Sequence, residues 1–541
     1  MPIDPASLPD DPAILRELVA NSEIEITGLR AEIDKLHLLI AKLNRHRFDR
    51  RSEQLDADQL SLAIEDLEQA QGAGDAAADA IIDAIAEQSG AEQSGAEQSG
   101  ATKPMRKPRQ RNLGDLPSSL PQIEVVVDLD DKTCSCCGGT LHQVGETVTK
   151  MLDMVPAIFR VKVIRRPRYA CDACDTPIVQ APAPPRPIDG GMATEALVAH
   201  VLVGKFVDHL PLYRQAQIFE RQGIKLNRST LGDWVGRACW WLRPVYDAIL
   251  AHVFAQTKAF ADDTLLPVLD PGRGKTKSGR LWCYAIDDRP WCGPAPPAAA
   301  FIYATDRKGE HPAAHLAKFR GVLQVDGYAG FGAVVKDRVD DQVMLAFCWT
   351  HARRYFYEFH ASTQSPIAAE ALARIAQLYA VEAEIRGQPA AVRHAARQAK
   401  SRPLIEAMHD WLNAQLSRIS KGSDLAKAMR YTLRHWTGLT LFLDDGRIEL
   451  DTNTVEREIR RIPLGRKNAL FAGNDTGAEH WALMATLIAS AKLNDVEPLA
   501  WLTDILERIV SGRTKATEID RLLPWHWNAD RAANEIVQAA A

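Results

Sequence analysis

The sequence predicts a multidomain α+β protein in which helical segments flank two separate β-rich regions. Three observations carry this prediction: a heptad pattern near the N-terminus, two cysteine pairs around alternating apolar residues, and five short apolar strands between residues 257 and 348. The 541 residues are enough for three or four domains with a large core. Hydrophobic residues at 46% and charged residues at 25% are typical of soluble globular proteins.

The composition and the apolar segments argue against secreted and membrane proteins. The sequence begins with Met1-Pro2-Ile3-Asp4, which is acidic and contains proline, so we expect no secretory signal. Its most apolar stretches, Leu197 to Val207 and Trp481 to Leu493, are too short and too interrupted by polar residues to cross a bilayer. Nine cysteines in so long a chain favour a reduced cytoplasm over a disulfide framework.

The formal net charge of −5 conceals an uneven distribution along the chain. Residues 1–101 carry 21 acidic and 8 basic side chains, whereas the remaining 440 residues carry 49 acidic and 57 basic side chains. A mildly basic body is compatible with nucleic-acid binding but does not by itself identify it. We expect the acidic N-terminal region to contact nucleic acid least.

Residues 13–70 are predicted to form a coiled-coil dimerisation helix. The two heptad positions are occupied by Ile26, Ile33 and Ile40 and by Leu29, Leu36 and Leu43. Isoleucine at one position and leucine at the other favour a parallel two-stranded coiled coil. An amphipathic helix that packs on its own domain is the alternative.

Residues 71–112 are predicted to be a disordered linker that ends in a basic patch. The segment Ala86-Glu87-Gln88-Ser89-Gly90 recurs at 91–95 and at 96–100, and such a small polar repeat cannot bury a core. The candidate DNA contacts in the patch are Arg106, Lys107 and Arg109. A patch that is merely solvated is the alternative.

Residues 113–190 are predicted to be a zinc-ribbon DNA-binding domain. Cys134, Cys137, Cys171 and Cys174 form two CxxC pairs, and four thiolates suit tetrahedral Zn²⁺. The residues between the pairs alternate as in β-strands, whereas two independent redox-active CxxC sites would require a βαβ context. Cys136 lies inside the first pair and could replace one of the ligands. Arg165 and Arg166 are candidate DNA contacts on this module.

Residues 191–255 are predicted to be a helical domain that resembles a helix-turn-helix. Leu212 to Arg221 and Ser229 to Trp241 form two helical segments around Gly223. The second segment carries few basic residues, so a DNA-recognition role and a purely structural role both remain open.

Residues 256–480 are predicted to form an α/β domain with the element order of an RNase H-like fold. Its strands are placed at 257–262, 280–287, 300–305, 321–326 and 343–348, with a helix at 310–319. A helical, Ala-rich insertion is expected at 363–440, and a helical C-terminal region at 481–541.

Three acidic residues occupy the positions at which this fold carries a metal site. Asp262 is placed on the first strand, Asp326 directly after the fourth strand, and Glu456 on a late helix. Carboxylates in this arrangement can hold two Mg²⁺ or Mn²⁺ ions that act on a phosphodiester. Neighbouring residues of a strand point to opposite faces, so only one of Asp262 and Asp263 can face the metals. A lone acid at a strand end is usually a cap, and only the joint placement favours catalysis.

Basic residues near the predicted metal site are candidate contacts to DNA phosphates. They are Lys275 on a hairpin, Arg457 and Arg460 on the helix of Glu456, and Arg466 and Lys467 after it. Ion pairs on a solvated helix are the alternative for the helical arginines. The segment Gly272 to Thr276 is not a phosphate-binding P-loop, because the first glycine of that motif is replaced by Leu269. Cys348 and His351 are too few for a closed zinc site, and His351, Arg353 and Arg354 are interpreted as packing and polar support near the active site.

These motifs together resemble the insertion sequence 66 family of DDE-type bacterial transposases. The matching stretches are Cys134-Ser-Cys-Cys137, Asp208-His-Leu-Pro-Leu-Tyr-Arg214, Ala261-Asp-Asp-Thr264, Val325-Asp-Gly-Tyr328, Cys348-Trp-Thr-His-Ala-Arg-Arg354, Asn453-Thr-Val-Glu-Arg457 and Leu464-Gly-Arg-Lys-Asn468. The resemblance implies catalytic acids at Asp262, Asp326 and Glu456 and a zinc module at the four paired cysteines. It also implies a bacterial, nucleoid-associated protein and, as partners, two small accessory proteins of the same element.

The expected function is that of a transposase that cuts the ends of a mobile element and joins them to target DNA. Bringing two DNA ends together requires at least a homodimer, which the heptad segment could supply. Two alternatives remain: a nuclease of the same fold that does not join strands, and a zinc and coiled-coil DNA-binding regulator whose acidic triad is inert.

Overall fold

The computed structural model describes residues 122–529, apart from 156–157, 172–177, 271–272, 337 and 339–342. The coiled coil predicted for 13–70 and the linker with Arg106, Lys107 and Arg109 lie outside the described residues. The same holds for Cys174, the fourth predicted zinc ligand.

The N-terminal part of the described chain is a four-stranded sheet. Its strands are β1 (Gln122–Val126), β2 (His142–Val155), β3 (Ile158–Ala170) and β4 (Val179–Gln180). β2 and β3 form a long antiparallel hairpin, β1 is parallel to β3, and β4 is antiparallel to β3. Val161 and Val163 of β3 are buried, whereas Arg160 and Lys162, which alternate with them along the strand, are only half-buried. This alternation is the pattern from which the strand was predicted.

Three helices follow, and the second and third of them form a helical hairpin. They are α1 (Glu195–Phe206), α2 (Leu212–Arg221) and α3 (Arg228–Phe254). Gly223, at a φ of +84°, makes the turn between α2 and α3. Arg237 on α3 is only 1% exposed and pairs with Asp233 at 3.2 Å. A DNA-recognition role for α3 therefore cannot use Arg237.

A five-stranded mixed sheet forms the centre of the molecule. Its strands are β5 (Lys258–Asp270), β6 (Lys275–Ile286), β7 (Ala298–Ala304), β8 (Gly321–Val325) and β9 (Val343–Phe347). They are arranged in the order β7-β6-β5-β8-β9. β6 is antiparallel to both of its neighbours, β5 and β7, whereas β8 and β9 run parallel to β5.

All five predicted strands are present, but the hairpin of β5 and β6 is longer than expected. β5 continues beyond Asp262 to Asp270, so Asp262 lies inside the strand and not at its end. The extension pairs with β6 as far as Asp270↔Lys275, and it buries Leu266 and Val268. The expectation of a short first strand is therefore wrong, because this buried alternation continues past the acid.

The remaining helices surround the sheet. They are α4 (Glu310–His315), α5 (Gly332–Val335), α6 (Trp349–Thr363), α7 (Pro366–Ile385), α8 (Ala390–Ala396), α9 (Arg402–Leu416), α10 (Asp424–Arg434), α11 (Trp436–Thr440), α12 (Asn453–Ile459), α13 (Arg461–Gly465), α14 (Asp475–Leu493) and α15 (Pro498–Val510). A π-helical turn at Arg397–Ser401 joins α8 to α9, and short 3-10 helices occur at Arg289–Trp291, Ala329–Phe331, Leu441–Leu443 and Ala516–Leu522. Among the described helices, none is both long enough and apolar enough to cross a membrane.

Three hydrophobic clusters hold these elements together. The largest joins α1, α3, α14 and α15 to one face of the central sheet, where it includes Ala261 and Trp282. A second fills the helical insertion around Ile375 and Met408. The third covers the opposite face of the sheet at Phe260 and contains residues of α12 and α14. The helices on both sides of the insertion therefore share their cores with the sheet.

The buried histidine of α14 should make the fold sensitive to acid. His480 is 7% exposed, and burial lowers its pKa from 6.5 to about 4. Because the folded-state pKa lies below the unfolded one, the unfolded chain binds more protons between these values. We expect His480 to remove about 1–3 kcal/mol from the free energy of unfolding as the pH falls through this window.

Urea unfolding followed by tryptophan fluorescence above and below pH 6.5 measures this loss. His480→Leu should make the difference between the two pH values smaller, and His394→Leu, at an exposed position on α8, is the matched control. An equal pH dependence in His480→Leu and the unaltered protein would contradict the prediction.

Candidate active site and metal-binding clusters

Two of the three predicted acids are brought together by the pairing of β5 with β8. The parallel register of these strands ends at Ala261↔Val325, so Asp262 and Asp326 are the next residues on neighbouring strands. Paired strands lie about 4.8 Å apart, which places both carboxylates at one spot. An Oδ1 atom in each accepts a backbone N–H: from Asp263 at 2.7 Å to Asp262, and from Tyr328 at 2.8 Å to Asp326. These bonds fix the orientation of both carboxylates.

The third acid lies on α12, which packs on the same face of the sheet. Val455 and Ile459 of α12 share a buried cluster with Phe260 of β5. Phe260 and Asp262 are two residues apart in the strand and therefore point to the same face. Glu456 is close enough for its charge to raise the pKa of Asp262, and its Oε1 accepts a hydrogen bond from the Thr452 hydroxyl at 3.1 Å.

The electrostatics of Asp262 reflect this convergence. Its pKa is raised to about 7, first by burial and second by the charge of Asp326, and Glu456 contributes in the same direction. The hydrogen bond from the Asp263 backbone opposes the shift. Like charges in a half-buried site favour uptake of a proton or of a cation. Three convergent carboxylates are oxygen ligands of the kind that Mg²⁺ and Mn²⁺ prefer, so the donor set fits such ions.

Asp263, the neighbour of Asp262, forms ion pairs with two arginines. Asp263 is buried and pairs with Arg280 at 3.1 Å and with Arg307 at 2.9 Å. Its charge is therefore balanced by two guanidinium groups on the far face of β5. Of the two adjacent aspartates, Asp262 is the one placed beside Asp326 and Glu456.

A buried glutamine fastens the segment that leads into α12. Gln324 of β8 has no exposed surface, and its side-chain amide donates to Glu449 O at 2.8 Å and accepts from Glu449 N at 2.9 Å. Gln324 lies two residues before Asp326 in the chain, and Glu449 lies seven residues before Glu456. A polar residue inside the apolar run Gly321 to Val325 is the sequence signal for this contact.

Two buried arginines of the helical insertion bond to residues 442–449, the segment that leads into α12. Arg397 is fully buried and donates to the carbonyl oxygens of Phe442, Asp445 and Ile448 at 2.8–3.1 Å. Arg393 donates to Glu449 Oε1 at 2.7 Å. Glu382 of α7 accepts hydrogen bonds from both arginines. Removing one partner of such a buried cluster typically costs about 3–5 kcal/mol, so we infer that the insertion has a structural role in the site.

Cys348 and His351 lie at the start of α6, against Glu456. Their ligand atoms and that of Glu456 all lie within 4.8 Å of one another. His351 Nδ1 is 3.8 Å from Glu456 Oε1, and Thr452 N donates to Cys348 Sγ at 3.3 Å. His351 therefore lies against the third acid, where polar support was expected.

The second candidate metal site is in the first sheet. Ligand atoms of Cys134, Cys137 and Cys171 lie within 4.8 Å of one another, and the Cys137 and Cys171 sulfurs are 3.4 Å apart. Gly138, at a φ of +70°, allows the tight turn whose N–H bonds to Cys134 O. A cluster of soft thiolate ligands fits structural Zn²⁺. Within the described chain, the exposed Cys136 is not part of this group.

The predicted DNA-contacting cations fall into two groups. Lys275, Arg457, Arg460 and Lys467 are exposed. Three others bond to the protein: Arg165 pairs with Glu124 and Glu146, Arg166 donates to Ala181 O, and Arg466 donates to Leu265 O. Contact with DNA remains a prediction for all seven, and the first group is better placed for it.

Comparison with known protein families agrees with this geometry. Residues 190–480 match the model described as "Transposase IS66 family", and residues 131–175 match the zinc-finger binding domain of transposase IS66. Residues 486–525 match the IS66 C-terminal element, and residues 35–125 match the model described as "Transposase C of IS166 homeodomain". The first match covers more than half of the chain, and the chain belongs to the IS66 transposase family.

Several curated proteins of Sinorhizobium fredii are similar to this chain. The uncharacterized protein y4jD is 51% identical over 429 residues, which are 79% of this chain and 84% of that protein. The uncharacterized protein y4hP is 39% identical over 520 residues, or 93% of this chain and 90% of that protein. The similarity therefore extends over most of both chains and not over a single motif.

The cysteine cluster should bind zinc. We expect purified protein to contain about one Zn²⁺ per chain in this module and Cys171→Ser to lose it, because the cluster then lacks a buried thiolate. Elemental analysis after exhaustive dialysis measures the zinc. Cys136→Ser is the matched control and should keep its zinc. Protein that is isolated without zinc, or equal losses in both variants, would contradict this assignment.

Proposed function

We propose that this transposase cleaves the ends of its own element by metal-dependent phosphodiester hydrolysis and joins the freed 3′-OH to target DNA. The observation that carries the proposal is that Asp262 and Asp326 follow the last paired residues of β5 and β8, and that the charges of Asp326 and Glu456 both raise the pKa of Asp262. Membership of a transposase family makes DNA the expected substrate. The proposal adds the reaction and the residues that perform it.

We infer that the catalytic domain is RNase H-like. The strand order β7-β6-β5-β8-β9, with an antiparallel half and a parallel half, supports this class. The positions of the acids support it further, since they lie on β5, directly after β8 and on α12. In the RNase H-like fold, the same positions carry the metal-binding carboxylates.

The three carboxylates would hold Mg²⁺ or Mn²⁺, which when bound stabilise both the attacking and the leaving oxygen of an in-line displacement. Asp262 and Asp326 are oriented by backbone N–H groups, and Glu456 is oriented by Thr452. The carboxylates then need little change of orientation when DNA binds. The exposed Arg457, Arg460 and Lys467 would neutralise phosphates beside the acids.

The reaction proceeds in two steps at this site. Water attacks the phosphate that links the 3′ end of the element to the flanking DNA, which breaks the P–O3′ bond, frees the 3′-OH of the element and leaves the 5′-phosphate on the flank. That hydroxyl then attacks a phosphate of target DNA in line, forms the new phosphodiester bond and releases a 3′-OH of the target strand. A homodimer formed through residues 13–70 would hold two ends together, and the zinc module at 131–175 would bind DNA.

A substitution at the second acid tests the catalytic role. Asp326→Asn preserves size and can still accept the Tyr328 N–H, but it removes the charge needed for cations. We expect its rate of nicking to fall by at least about 100-fold while DNA binding is kept, because the metal clamp contributes several kcal/mol to the transition state. The substrate is DNA from the flanks of the coding gene, with Mg²⁺ or Mn²⁺.

Asp410→Asn, at a side chain that is 90% exposed, is the matched control and should cut normally. Equal nicking by Asp326→Asn would overturn the site assignment. Nicked products without joined products would favour a nuclease of the same fold. Binding without any cleavage by the unaltered protein would favour a DNA-binding regulator.

A further inference from the structure

An exposed tyrosine on α6 forms the outer end of a row of contacting aromatic rings, the aromatic stack, whose neighbouring planes are inclined by 51° to 68°. The ring centres of Tyr355 and Tyr431 lie 4.7 Å apart, those of Tyr431 and His435 lie 4.4 Å apart, and those of His435 and Phe347 lie 4.6 Å apart. Phe347 ends β9, the edge strand of the central sheet. Tyr355 is 47% exposed. The stack therefore presents one aromatic ring to solvent on a support that is anchored in the sheet.

The inner part of this stack touches the proposed catalytic site. A Cβ placed on Gly327 would overlap the Tyr431 hydroxyl, so that hydroxyl lies directly against the residue after Asp326. Burial, and then the neighbouring Tyr355 and Asp326, raise the pKa of Tyr431. The lack of a side chain at Gly327 is what allows the stack to approach the acids so closely.

The geometry of α6 places the exposed ring on the side of the acids. His351 and Tyr355 are four residues apart and lie on one face of the helix, about one turn or 5.4 Å from each other. His351 Nδ1 is 3.8 Å from Glu456 Oε1. The Tyr355 ring is therefore one helical turn beyond the residue that contacts the third acid. That separation is comparable with the spacing of one or two nucleotides along a DNA strand, about 3.4 Å each.

The charge around Tyr355 suits a nucleic-acid strand. Arg353 and Arg354 precede it and are exposed. A flat ring next to cations binds the π-face of a base while the cations bind the phosphates. Within a duplex, each base face is covered by its neighbours, so only an unpaired or flipped base offers that face to a side chain.

We propose that Tyr355, supported by Tyr431, stacks on an unpaired base of the DNA strand next to the phosphate that is cut. This inference rests on the proposed function, because it names a further contact of the same active site. The stack would hold the strand end in register with the acids, which lowers the entropy cost of reaching the reactive geometry. Tyr355 is thus a substrate-positioning residue outside the acidic triad.

The first test uses short single-stranded oligodeoxynucleotides that carry 2-aminopurine at successive positions, with the full-length protein. We expect the emission of 2-aminopurine to change upon binding at one or two positions. Tyr355→Ala should lose this change, whereas Tyr355→Phe, which keeps the ring, should retain it. Tyr357→Ala is the matched control, since Tyr357 is 53% exposed but lies about 200° away around the helix.

The second test measures cleavage of DNA from the flanks of the coding gene. Tyr355→Ala should lower kcat/KM by about 10-fold or more, the loss that follows removal of one base–aromatic stack. A mismatch at the cut end should reduce this loss, because a base that is already unpaired need not be extruded. Tyr355→Phe and Tyr357→Ala should cut like the unaltered protein.

The outcomes separate this inference from the function on which it rests. Cleavage that is equal in Tyr355→Ala, together with an unchanged 2-aminopurine signal, would overturn the base contact and leave the transposase reaction standing. An unaltered protein that cuts none of these DNAs would overturn the proposed reaction, and the oligonucleotide signal would still decide whether Tyr355 stacks on a base. Loss of binding to another protein in Tyr355→Ala, with normal DNA signals, would overturn the base contact in favour of a protein interface.

Discussion

The burial of the Asp262 carboxylate beside Asp326 is the constraint on which the candidate site depends. Burial first, and then the charge of Asp326, raise the pKa of Asp262 to about 7, so its charged form is disfavoured without a nearby cation. Such a site persists only where the surrounding structure holds its ligands in place. The pairing of β5 with β8 holds Asp262 and Asp326, and the packing of α12 on Phe260 holds Glu456.

The long helical insertion contributes to holding the candidate site in place. It separates the second acid from the third in sequence, yet its buried Arg393 and Arg397 bind the segment that leads into α12. Gln324 then fixes Glu449 to β8, next to Asp326. The insertion, the sheet and the third acid are therefore connected through buried polar contacts. Each of these groups has a partner, as buried charges and amides require.

Local patterns predict the strands of the central sheet, because apolar residues alternate along them, and they select Asp262, Asp326 and Glu456 as the candidate acids. The contacts around these acids are not predictable in this way. The bond between Gln324 and Glu449 and the contact of Tyr355 with Tyr431 join residues distant in sequence, and no local pattern specifies such pairs. The full length of β5 is encoded in an alternation that continues beyond Asp262 through Leu266 and Val268.

Binding of Mn²⁺ to the full-length protein, followed by electron paramagnetic resonance, tests the central claim most directly. If the three acids form one site, Asp262→Ala and Glu456→Ala will each remove the same bound Mn²⁺ signal, although these residues lie far apart in sequence. Asp410→Asn, at an exposed carboxylate, will leave the signal intact. Retention of full Mn²⁺ binding in either of the first two variants would contradict a shared site.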